Sequence, residues 1–237
     1  MQDTMLQKII DSRLPTGFGG NFYGVYVAEV IDIADPDGQG RVRIKLPWSP
    51  DGDGNEYQAW ARLATMMAGN NRGTWFIPQE GDEVLIAFNA GDTRHPYVIG
   101  CLWNGQDSPP ESMDSAGNNY AKTICSKNGV RVSLNDQDGQ ERLTLETPGG
   151  QRVVLKDGPG AIDIEDSNGN SVKLSTSGIT VEASVKVTVN ATVVQVSASS
   201  MTVDCPFTSF SGVVKVDTLL SNSVVSASYT PGAGNIW

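Results

Sequence analysis

The sequence predicts an all-β protein in two parts: a small five-stranded barrel, then a long shaft of short strands wound from three copies of the chain. Three observations carry this. Between Val25 and Trp103, short alternating apolar segments are separated by turns rich in Asp, Pro and Gly. From Val132 to Val203, apolar pairs with one polar residue between them recur along the chain. The stretch Ser184–Asp204, "SVKVTVNATVVQVSASSMTVD", alternates like a strand, is far too long for one, and contains no Gly or Pro.

The bulk composition bounds the rest. A chain of 237 residues, 39% apolar and 19% charged, is globular and long enough for one or two domains with a real core. Its net charge of −10 argues against a nucleic-acid or anionic-membrane partner, because phosphate contacts need Lys and Arg. Cys101, Cys125 and Cys205 are odd in number, widely spaced and in no Cys-x-x-Cys pair, so they read as reduced thiols of a protein made in the cytoplasm. "MQDTMLQKII" lacks the apolar run of a signal peptide, and no stretch approaches a membrane helix. A protein of this kind acting outside the cell is expected to leave by a route other than general secretion.

Residues 1–20 are expected to hold one short helix, with Leu6, Ile9, Ile10 and Leu14 on one side, ended by "PTGFGG". Residues 21–105 read as a barrel. "VYVAEVIDI" is the first strand and Asp35–Gly40 a turn. "RVRIKLPW" follows, with Val42, Ile44 and Leu46 on one face and Arg41, Arg43 and Lys45 on the other. "AWARLAT", "GDEVLIAF" and "HPYVIGCLW" complete five strands, with one longer loop near Met66–Pro78, the pattern of a Greek-key barrel of the OB type. Residues 106–121, polar and marked by Pro and Gly, are a linker.

Residues 122–237 are expected to form the shaft and its tip. The pairs are Val132/Leu134, Leu143/Leu145, Val153/Leu155, Ile162/Ile164, Val172/Leu174, Ile179/Val181, Val187/Val189, Val194/Val196 and Met201/Val203; their second members step by 11, 10, 9, 10, 7, 8, 7 and 7 residues. Each unit is a strand of about five residues that cannot bury its apolar side alone. A flat meander would leave one face and two edges open. A single-chain β-helix keeps stricter register than these uneven steps. Three copies wrapped into a triangular prism would close every edge and bring the inward residues onto one axis, each contributing about 1.5–3 kcal/mol. The expected trimer core includes Ile164, Val172, Leu174, Val181, Val187, Val189, Val194, Val196 and Val203.

The run "DPDGQGRVRIKLPW" and the stretch from "WARLATMMAGNNRGTWFIPQEGDEVLIAF" to "HPYVIGCLWNG" resemble the OB domain of phage baseplate assembly protein V and of VgrG spikes. "SKNGVRVSLNDQDGQERLTLETPGGQRVVLKDG" resembles the shaft entry of the same families. The resemblance implies a homotrimeric central spike of a contractile tail, with OB domains under a hub and a β-helix aimed at the target cell envelope. Large VgrG chains carry a hub domain before the barrel; only about 20 residues precede it here, which implies a separate hub protein. Some phage spikes insert a lysozyme between barrel and shaft, for which the linker is too short. Several short spikes end in a His-x-His iron site, whereas the one histidine here is His95, in the barrel. The terminal "SASYTPGAGNIW", with Tyr229, Pro231, Ile236 and Trp237, is therefore expected to be a blunt end that takes a separate PAAR-type tip protein.

The remaining motifs read blandly. "DGDGNEY" (Asp51–Tyr57) has alternating carboxylates but places Glu56 and Arg62 where a calcium loop needs Gly and Glu. Arg41, Arg43 and Lys45 form a basic strand face on an acidic chain, more suited to solvent or an acidic hub than to single-stranded nucleic acid. His95 has neither a nucleophile motif nor a second His beside it, and "TGFGGNF" fails the dinucleotide fingerprint. Asp163 and Glu165 flank Ile164 and point outward, as a solvated face rather than a catalytic pair. The expectation is thus a non-enzymatic spike with no cofactor, no catalytic residues and no metal, made in the host cytoplasm and built into a baseplate. A tail-associated wall- or polysaccharide-degrading enzyme, or a trimeric receptor-binding fibre, is the alternative.

Overall fold

Strict alternation of apolar and polar residues in the first third of the chain produces strands with one dry face. The structure, a computed structural model, describes residues 21–50, 55–158 and 161–227. The helix expected over 1–20, most of the acidic loop at 51–54 and the tip residues Tyr229, Pro231, Ile236 and Trp237 lie outside the described residues. Strands β1 (Val25–Asp32), β2 (Val42–Pro50), β3 (Glu56–Leu63), β6 (Glu83–Asn89) and β7 (Asp92–Leu102) close into a barrel in the order β1-β2-β3-β7-β6. The β3–β7 pair is parallel and the others antiparallel. Ala28, Val30, Val42, Ile44, Leu46, Ala61, Val84, Ile86, Phe88 and Val98 fill the interior. The five-stranded all-β barrel expected from the sequence is thus present. Within the long loop after β3, a two-residue hairpin, β4 (Ala68–Gly69) with β5 (Arg72–Gly73), was not expected.

The Asp35–Gly40 turn is held by one carboxylate. Asp35 accepts backbone N–H bonds from Asp37, Gln39 and Arg41 and a side-chain bond from the Arg41 guanidinium, which hold its carboxyl well below the usual range. Gly40, at φ +71°, lies under Trp75: a Cβ there would sit 2.9 Å from the indole.

After residue 120 the period-2 pattern continues with short turns, and the result is a simple meander. Strands β8 (Ala121–Cys125), β9 (Arg131–Asn135), β10 (Arg142–Glu146), β11 (Arg152–Lys156), β12 (Ala161–Glu165), β13 (Ser171–Ser175) and β14 (Gly178–Glu182) form one seven-stranded antiparallel sheet in sequence order. Among the described residues there is no helix and no strand after Glu182. Val187/Val189, Val194/Val196 and Met201/Val203, expected as strands, have no ladder within this chain. A strand needs a partner backbone, and residues 187–227 supply none to themselves.

Residues from Val187 onward form a second compact unit. Its backbone bends at Thr192, Ser199 and Pro206, then at Ser211–Gly212, Asp217, Asn222 and Ala227. The sides between bends are first seven residues long and, after Gly212, five. In the shorter-sided part exposure alternates: Val214 and Val216 are 56% and 54% exposed, Val213 and Val225 both 98%.

Candidate functional site

The register of the meander stacks its apolar residues into two continuous rows on one face. One row runs Ile124, Val132, Leu145, Val153, Ile164, Val172, Val181. The other runs Leu134, Leu143, Leu155, Ile162, Leu174, Ile179. Among the described residues this face is left partly open: Leu145, Ile164 and Ile179 are 41%, 44% and 72% exposed. A patch this long and this apolar marks an interface.

The reverse face is the covered one. Its central row holds Thr144, Val154, Asp163 and Lys173 in register, and Val154 is buried there. Rows of charge flank it: Arg131 pairs with Glu146 at 3.6 Å and with Glu111 of the linker at 2.5 Å, and Lys173 with Glu165 at 3.7 Å. Lys156 reaches Asp163, and that bond, with the nearby positive charges, holds the Asp163 carboxyl below its ordinary value. The aliphatic stems of such side chains shelter apolar surface while their heads stay in water. A polar face that protects itself and an apolar face left open are what a chain built to meet copies of itself requires.

Of the expected core residues, Ile164, Val172, Leu174 and Val181 stand in these two rows. Val187, Val189, Val194, Val196 and Val203 belong to the second unit, where they recur along the bending backbone and are exposed. Ile124, at the start of the first row, escaped the sequence reading because β8 has one Val, Leu or Ile where each later strand has two or more. Glu111 was also missed: its carboxylate accepts from Thr123 Oγ1 at 2.7 Å as well as from Arg131, strapping the linker to the sheet.

Among the described residues, other candidate groups named from the sequence are held in local pairs. Asp163 and Glu165 are each engaged by a lysine. His95 lies 3.3 Å from Asp92, which is itself held by Arg94. Two of the three cations on the β2 face are neutralised within the barrel, Arg41 by Asp35 and Asp37 and Lys45 by Glu29 at 3.1 Å. Among the described residues no group of three or more His, Cys, Asp or Glu is placed to hold a metal ion, and no helix is long and apolar enough to cross a membrane.

Each part matches a family model. The family model of the type VI secretion system/phage-baseplate injector OB domain matches residues 26–103. That of the phage baseplate V C-terminal trimerisation domain matches residues 142–204. The type VI secretion system spike protein VgrG4b of Pseudomonas aeruginosa is 32% identical over 112 residues, 45% of this chain and 14% of that protein. VgrG1b of the same organism is 28% identical over 127 residues, 51% of this chain and 17% of its own length. The actin cross-linking toxin VgrG1 of Vibrio cholerae is 29% identical over 119 residues, 50% of this chain and 10% of its own. The chain therefore spans only a small part of the length of these curated relatives. The chain thus carries, in that order, the injector OB domain and the phage baseplate V C-terminal trimerisation domain, and is similar to VgrG spike proteins.

Proposed function

We propose that this chain is the non-enzymatic central spike of a contractile injection particle, a phage tail or a phage-derived system, and that it works as a homotrimer. The observation that supports this most is the pair of uncovered apolar rows across the sheet. Three copies would turn those rows inward around one axis and leave the charged faces in water. The bends of the second unit, seven and then five residues apart, suit an intertwined three-sided β-helix whose strands pair only with other copies. On this reading residues 1–20 and the barrel (21–105) meet a separate hub protein, the linker (106–121) joins barrel to shaft, and residues 122–237 form the piercing element. The chain would be made in the host cytoplasm and assembled into the baseplate. A prism without open edges and with little charge transmits force from the sheath to the target cell envelope without unfolding; no catalytic group is asked of it.

Tyr229, Pro231, Ile236 and Trp237 would form the seat of a PAAR-type tip protein. Deleting Thr230–Trp237 should leave the trimer intact and abolish capture of such a protein in a pull-down. The function itself is tested by complementation in producing cells that lack the chain. The wild type should restore contractile particles that deliver their contents, and Ile164→Asp should not. Restoration by Ile164→Asp would contradict the proposal.

A further inference from the structure

The barrel carries a second uncovered apolar patch, away from its core. Met66, Met67, Trp75 and Phe76, on the loop around β4 and β5, are 90%, 53%, 74% and 69% exposed. The loop is not a loose strand of chain. Thr74 N–H donates to Met67 O at 3.0 Å, Thr65 Oγ1 donates to Thr74 O at 3.0 Å, and Asn71 takes the left-handed conformation at φ 54°. Trp75 rests on Gly40, and Ile77, next to Phe76, packs against the barrel core. Arg72 is the one charged residue between Ala64 and Pro78. Large apolar side chains on a fixed, charge-poor surface have the composition of an interface centre.

Position selects the occupant. Gln79, three residues beyond Phe76, accepts a hydrogen bond from Lys127 Nζ at 3.4 Å. Lys127 lies in the β8–β9 turn between Ile124 and Val130, both half-exposed at the start of the open sheet face. The barrel patch thus adjoins the first strands of the trimerisation surface. In a trimer, three barrels held this close to one shaft are at a high effective concentration for one another, so each patch meets another copy before any other protein.

We infer that the patch of Met66, Met67, Trp75 and Phe76 packs on the barrel of a neighbouring copy of this chain, so that the trimer contact extends from shaft to barrels. This rests on the homotrimeric reading above. The test uses the purified full chain alone, with Phe76→benzoylphenylalanine, an aromatic photo-cross-linker at an exposed position. Native mass is measured first, then the sample is irradiated and run on a denaturing gel. Covalent species of two and three chains, with the cross-link mapping to barrel residues of another copy, are the expected result. A native trimer that yields only single chains, or whose cross-links map only outside the barrels of other copies, overturns this inference and leaves the trimer standing. A monomer by native mass overturns both.

Discussion

Val154 and Leu155 are adjacent in sequence and opposite in environment: the first is 1% exposed on the charged face, the second 41% exposed on the apolar one. That inversion sets the residue-scale predictions. Val153→Asp or Ile164→Asp would place three carboxylates in the dry centre of the trimer, and unpaired buried charge is very costly; light scattering after size exclusion should show loss of the trimer. Lys173→Ser, on the reverse face, removes one exposed pair and should leave the mass unchanged. The same contrast holds between Val189→Asp or Val196→Asp, which should abolish assembly, and Lys186→Ser, which should not. In the barrel, burial first and the Asp92 charge second push the Tyr57 phenol up to about 12. Its neutral form is the one the fold favours. The stabilisation is therefore complete below the unfolded value near 10 and is lost as pH rises through about 12. Tyr57→Phe would leave the Thr93 carbonyl without this donor and should lower barrel stability by about 1 kcal/mol in a thermal melt. Asp163 has the opposite sign: its lowered value contributes stability above the ordinary carboxylate range, lost as pH falls below it. A carboxyl NMR titration should find it ionising below Asp residues in open solvent.

At the scale of elements, turn chemistry matters as much as strand pattern. Gly40→Ala should destabilise the barrel by about 1 kcal/mol or more, because φ +71° disfavours a side chain and the added Cβ meets Trp75 at 2.9 Å; a shift in the barrel's unfolding midpoint would measure it. The strands themselves were legible in the sequence. Val42, Ile44 and Leu46 alternate without exception, and each apolar pair from Val132 to Val181 lies on one strand. The β4–β5 hairpin was not legible, since strands of two residues have no period and depend on Thr65, Thr74 and Asn71. Nor did the pattern reveal where pairing within the chain stops. Val181 and Val187 belong to the same alternation, yet the first has a partner strand and the second has none; alternation records which face is apolar, not which chain supplies the hydrogen bonds. The two rows of the candidate interface were readable as pairs, but their continuity across strands came from register, which turn lengths set.

For the whole molecule, the account makes assembly and stability one quantity. The shaft should melt at a temperature that rises with protein concentration, because each chain's open face is buried only by other copies; a Tm independent of concentration over a hundredfold range would count against this. The central claim is that three chains make one spike. Mass measurement of the purified intact chain in native solution tests it most directly. The account predicts one species at three times the 25.3 kDa chain mass. A stable monomer with its sheet face open to water would contradict it.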